Sequence, residues 1–211
     1  MERVLIVAKT HMKNGACVSG LTHNTNKSIH LLNPDSSNQP ADAPFDVGQV
    51  WELEFHPRIN PEPPHVEDVI VTRERYIGQS PNIRDTLLQR VPIWRGDPKV
   101  LFDGLLVFEN MTSYISKSKG IPTCSTGYWL PNSPLILKQR YGKPYYIIKR
   151  EVSLGNNLYR VTLSIPYVGF TGPIQTIPAD TLVRVSLARW WPKSGPIEER
   201  NCHLQLSGWY L

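Results

Sequence analysis

Between Gln49 and His56 the chain alternates, with Trp51, Leu53 and Phe55 on one side and Glu52 and Glu54 on the other. A period of two predicts a strand with one buried face. The same pattern runs through Leu158–Pro166, where Tyr159, Val161, Leu163 and Ile165 read as inward and Arg160, Thr162 and Ser164 as outward. It returns twice near the C-terminus. Val183, Val185 and Leu187 alternate with Arg184, Ser186 and Ala188, and Cys202, Leu204 and Leu206 alternate with His203, Gln205 and Ser207. In Arg3–Thr10 the run Val4–Val7 leaves neither face polar, which predicts a strand buried on both sides. Lys27–Asn33, Val66–Ile77, Leu135–Gln139 and Tyr145–Glu151 read as further strands. Ile83–Val91 is the best helix candidate, with Ile83, Leu87 and Leu88 on one side and Arg84 and Arg90 beyond them.

Breakers set the organisation. Nineteen prolines and 14 glycines argue against long helices and for short strands joined by turns. Asn33–Pro44 is an irregular excursion rich in turn formers, and Asn110–Pro134 reads as a long polar loop. Pro92–Pro98 reads as a seam between halves, giving domains at 1–95, with the helix near 83–91, and 96–211. Each half then holds four or five strands and little helix, which is what a small Greek-key barrel of the oligonucleotide-binding (OB) type requires. The fold class expected is mainly β, two consecutive OB-like barrels.

Charge and chemistry narrow the function. A net charge of +5 is compatible with a polyanionic partner without requiring one. Gly15–Gly20 has glycines at phosphate-loop spacing, but Leu21 and Thr22 stand where a lysine and a Ser/Thr are needed, so a nucleotide triphosphatase is rejected. The histidines and acids of His56–Asp68 lack the tight spacing that zinc demands, and no metal or other cofactor is expected. No GxSxG, HExxH or HxE…PCxxC pattern is present, so the chain reads as non-catalytic. Cys17, Cys124 and Cys202 are far apart, odd in number and not preceded by a secretory leader, which suits a cytoplasmic setting. No stretch is long and apolar enough to imply a membrane partner.

Nucleic-acid binding has more support. Basic and aromatic residues interleave in Lys138–Tyr146 and again in Ala188–Lys193. Rings stack on bases and cations neutralise phosphates, so such segments suit a single strand. The polar sides of the two C-terminal strands add Arg184, His203 and Gln205, with Trp190 and Trp209 near their ends. Parity places Trp191 with the core-facing Val183, Val185 and Leu187, and leaves Trp190 exposed. If the strands pair, Arg160, Thr162 and Ser164 extend the same face. The candidate contacts are therefore Arg160, Arg184, Trp190, His203, Gln205 and Trp209, with Lys138, Arg140 and Lys143 on phosphate, and Lys117 and Lys119 as further phosphate contacts.

The segments VLIVAKT…NGACVSGL, VGQVWELEF…PPHVEDVIV and PYVGF…IPADTLVRVSLARWW…CHLQLSGWYL resemble the dual OB-containing domain family of prokaryotic proteins over nearly the whole chain. The resemblance implies two consecutive barrels. It also implies an accessory module of mobile or defence-type loci that recognises nucleic acid or nucleotides, and it carries over no functional residue. The leading expectation is a module that binds single-stranded RNA or DNA, with a protein partner encoded nearby as a second possibility. The alternatives are a protein-interaction scaffold, or a nucleotide sensor with a pocket between the barrels around Cys17, His30 and His65.

Overall fold

A computed structural model describes residues 1–154, 157–192 and 200–211, with the side chains of 151–160 left aside. It divides into two compact units, Met1–Pro92 and Ile93–Leu211. The first contains β1 (Glu2–Met12), β2 (Gly15–Thr22), β3 (Ser28–Leu32), β4 (Gln49–Pro57), β5 (Asp68–Gln79) and the helix α1 (Ile83–Arg90). Its strands close into a barrel in the order β1-β2-β3-β5-β4, with β3 and β5 parallel and every other pair antiparallel. Closure leaves no free sheet edge. As the sequence implied, Val4–Val7 are buried throughout. Trp51 and Leu53 point inward, while Glu52 and Glu54 pair outside with Arg75 and Arg73 across the β4–β5 ladder. Phe45, from the irregular segment after β3, packs edge-on against Trp51 at 4.8 Å.

The helix is capped and pinned. The Asn82 side chain accepts the Asp85 N–H at 3.0 Å. At the other end the Arg90 guanidinium donates to the carbonyls of Thr22 and His23 and to Asn26 Oδ1, tying the helix to the β2–β3 turn.

The second unit contains β6 (Ile93–Gly96), a 3-10 segment (Pro98–Gly104), β7 (Val107–Glu109), β8 (Thr112–Ser116), β9 (Thr126–Pro131), β10 (Leu135–Arg140), β11 (Lys143–Leu154), β12 (Asn157–Pro166), β13 (Thr176–Ile177), β14 (Leu182–Leu187) and β15 (Asn201–Tyr210). They form two sheets, β12-β11-β10-β13 and β6-β9-β14-β15-β8-β7. Tracing the ladders shows how the sheets curl together. β10 pairs with β11 and β11 with β12; Tyr167, just past β12, then bridges Leu206 of β15 in parallel. β15 pairs with β14, β14 with β9, and β9 runs on through three residues into β10. Counting β9 and β10 as one broken first strand, the order matches that of the first barrel. The interior is one cluster that includes Ile115, Trp129, Tyr146, Ile165, Val183 and Leu204.

Two sequence expectations need correction, and the seam between the halves holds a strand besides. Asn110–Pro134 is not a loop, because it contains β8 and β9. Ser113 takes an inward position beside Ile115, so the apolar alternation that would reveal β8 is interrupted. The Pro92–Pro98 seam contains β6, which pairs in parallel with β9; the Trp94 ring lies across Gly127, where any Cβ would collide with it. Val161 is 40% exposed despite its inward parity. The β11–β12 ribbon runs past the end of its ladder with β10, so Val161 lies beyond the core it was expected to join.

Arg150 helps close the core near that end. Its guanidinium donates two hydrogen bonds to Asp97, at 3.0 and 2.7 Å, and lies 4.0 Å over the Phe108 ring. Burial pushes the Asp97 carboxyl up, but the Arg150 bonds and the Lys99 N–H outweigh it and hold the carboxyl below its ordinary value. No helix among the described residues is long and apolar enough to cross a membrane.

Candidate nucleic-acid interface

Alternation along β10, β11 and β12 sends Tyr146, Ile148, Leu163 and Ile165 into the core. The opposite face therefore carries Lys138 and Arg140 from β10, Lys143, Tyr145 and Ile147 from β11, and Thr162 and Ser164 from β12. The ladders set Lys138 beside Tyr145, Arg140 beside Lys143 and Ile147 beside Ser164. A groove of about 620 Å³ opens on this face, within the range of small-ligand sites.

The far wall of the groove is the β7–β8 hairpin. Its two-residue turn, Asn110–Met111, docks on β12 through a hydrogen bond from the Ser164 N–H to the Met111 carbonyl at 2.7 Å. His203 of β15 completes the wall, its ring 5.6 Å from that of Tyr114.

Lys138, Arg140 and Lys143 are exposed, and none makes an ion pair with a described residue. The described residues that line the groove include no carboxylate. Three uncompensated cations on one concave sheet face make a local positive potential suited to an anionic chain. The Arg140 guanidinium stands 5.4 Å from the ring of Tyr141, which is 89% exposed at the β10–β11 turn.

Burial lowers the His203 pKa, because desolvation penalises the imidazolium. A folded value below the unfolded one of about 6.5 means that the unfolded chain binds the extra proton first. His203 thus leaves stability intact above about pH 6.5 and diminishes it as pH falls through the folded value. Thermal melts of the native chain and His203→Gln should converge, or cross in favour of the variant, between about pH 8 and pH 5. A constant gap would show that His203 titrates alike in both states.

Of the eleven contacts read from the sequence, Lys138, Arg140, Lys143 and His203 share this groove, joined by Thr162 and Ser164 from the proposed extension. Arg184, Trp190, Gln205, Trp209, Lys117 and Lys119 do not line it. The Arg160 side chain falls outside the described residues; its backbone pairs with Glu151. Gln205 is half-buried and does not line the groove.

Arg184 is only 2% exposed. β14 runs between β9 and β15 and is covered on both faces, so its polar parity does not reach solvent. One guanidinium nitrogen donates to Ser207 Oγ at 3.0 Å, while Nε and Nη2 are buried with no hydrogen-bond partner among the described residues. Burial raises the pKa of the phenols of Tyr128 and Tyr210, and the Arg184 charge opposes that rise.

Trp190 is 4% exposed and Trp191 is 61% exposed, the reverse of the parity expectation. The strand ends at Leu187, so its two-residue period does not extend to the tryptophans. Lys117 stands over Trp190, its Nζ 4.8 Å from the ring centroid. Trp209 packs on the core, with its ring 5.2 Å from that of Tyr167 and 6.3 Å from that of Tyr146. A bulge in the β14–β15 ladder, between the Arg184–Gly208 and Val185–Leu206 pairs, shifts the face on which Trp209 lands. Trp190 is therefore not exposed to a partner, and Trp209 is only half-exposed.

Sequence reading missed the β7–β8 hairpin. Asn110 between two short β-rich runs was the available signal, obscured because Met rather than Gly follows it.

In the first unit, His30 Nδ1 is 3.5 Å from Asp68 Oδ1, and the other Asp68 oxygen accepts from Arg58 Nη1 at 3.1 Å. His30 Nε2 is buried with no hydrogen-bond partner. His65 is also buried and Cys17 is half-buried.

No curated protein and no solved structure matches the chain. A family model does, over residues 2–209, and its description, a dual OB-containing domain, agrees with a closed five-strand barrel followed by a second unit of the same strand order. The chain belongs to the dual OB-containing domain family.

Proposed function

We propose that the chain is a non-catalytic module that binds single-stranded RNA or DNA on the outer face of β10–β12. The observation that carries this reading is one solvent-facing surface that combines Lys138, Arg140 and Lys143 with the rings of Tyr141 and Tyr145, and no carboxylate among its described lining residues. Cations spaced along a groove follow a phosphate backbone, while rings beside them stack on bases that a duplex would hide. The location supports the same reading. β11 and β12 are the second and third strands of the ring, the strands whose face OB barrels use for oligonucleotides.

Fluorescence anisotropy with a short labelled strand tests the reading. Binding should be present at low salt, should weaken log-linearly with salt, and should exceed that of the matching duplex. A single strand that stays free at low salt would sink it.

A further inference from the structure

Two tight turns bound this groove, and both break the usual residue rule. Asn110–Met111 joins β7 to β8, and Tyr141–Gly142 joins β10 to β11; each is a two-residue hairpin loop. All four residues have positive φ, at 46° and 64° in the first and 51° and 72° in the second. That is the mark of the type I′ turn, whose twist matches the flanking strands and whose residues are ordinarily Asn or Asp followed by Gly. A bulky side chain in the left-handed region is costly, and such outliers concentrate at ligand clamps. Here Met111 occupies the position Gly would take, and Tyr141 the position Asn would take.

Neither side chain is repaid by burial. Met111 is 59% exposed and Tyr141 89% exposed, so each is an apolar group held in water on a backbone that disfavours it. Both line the same groove, and Met111 also lines a second cavity of about 350 Å³ on the Phe108–Arg150 side of its hairpin. The tips thus project at the groove margins, with the three unpaired cations near Tyr141.

We propose that Met111 and Tyr141 are paired stacking jaws that grip the unstacked bases of a bound strand, while Lys138, Arg140 and Lys143 hold its phosphates. The proposal rests on the nucleic-acid reading of the groove and deepens it by assigning the base contacts. A polarisable thioether and a phenol ring both offer flat or adaptable apolar contact to any base, so the grip is tolerant of sequence. The occupant follows from charge and shape together: cations with no carboxylate among the described lining residues select an anionic chain, and exposed apolar tips beside them select one that carries unstacked bases.

The test exploits the turn rule. Met111→Gly and Tyr141→Asn each restore the favoured Asn-Gly turn, so each should raise the melting temperature. Each should also weaken binding to a labelled single strand about tenfold, leave the salt slope unchanged, and lose no further affinity when the strand carries abasic positions. Variants that are more stable and bind as tightly as the native chain would overturn the jaws while leaving the nucleic-acid reading in place. If the native chain binds no strand, both readings fall together. A variant that loses salt dependence along with affinity would show that the tips act through the cations rather than on the bases, and would also overturn the proposal.

Discussion

Replacing Trp190 by alanine should destabilise the chain by about 3–5 kcal/mol, whereas Trp191→Ala should change stability by less than about 0.5 kcal/mol. The two residues are adjacent and chemically identical, so the contrast isolates burial. Trp190 belongs to the core cluster of the second unit and is 4% exposed, with the Lys117 ammonium over its ring. Truncation removes the transfer energy of an indole and leaves a cavity that rigid strands cannot fill. Trp191 is 61% exposed, and its hydrogen bonds with Asn201 run through the backbone, which alanine preserves. Urea denaturation of both variants, read as midpoint shifts at constant slope, measures the difference. If Trp191→Ala proved the costlier change, the packing described for the end of β14 would be wrong.

That pair also marks where sequence reading stops. Strand alternation located β4, β12, β14 and β15, because a half-buried strand writes its burial into every second residue. Val4–Val7 announced a strand covered on both faces, and the apolar side of Ile83, Leu87 and Leu88 announced the helix. What failed was extrapolation beyond the ladder. Parity carried from Val183–Leu187 to Trp191 assumed a strand that ends at Leu187. Parity carried from Cys202 to Trp209 assumed a ladder without the bulge. Alternation with Val183 and Val185 puts Arg184 on a polar face, yet β14 is covered on both faces.

The site was legible in part for the same reason. Lys138, Arg140 and Lys143 stand on a regular hairpin, and its alternation puts them on one face. The opposing wall was hidden in a stretch that composition alone called a loop. There Ser113 sits among inward positions, and Met111 replaces the glycine that would have signalled the turn.

Simultaneous replacement of Lys138, Arg140 and Lys143 by alanine should weaken single-strand binding by about 10- to 100-fold at low salt, with the fold intact. All three side chains are exposed and none makes an ion pair with a described residue, so their removal takes away little besides the contact of Arg140 with the exposed Tyr141 ring. Exposed charge contacts are worth up to about 1 kcal/mol each, and three of them correspond to one to two decades of affinity. Melting temperature and circular dichroism should match those of the native chain, which separates this variant from Trp190→Ala, whose losses come from unfolding. Equal affinity in the triple variant would move the binding face away from β10–β12.

The salt dependence of the same two proteins tests the central claim most directly. On a single strand each neutralised phosphate contributes about 0.7 to the slope of log affinity against log salt. Three contacts removed should therefore flatten the slope by about 2 relative to the native chain. Parallel lines for the two proteins would contradict the account, because they would place the phosphate contacts on other residues.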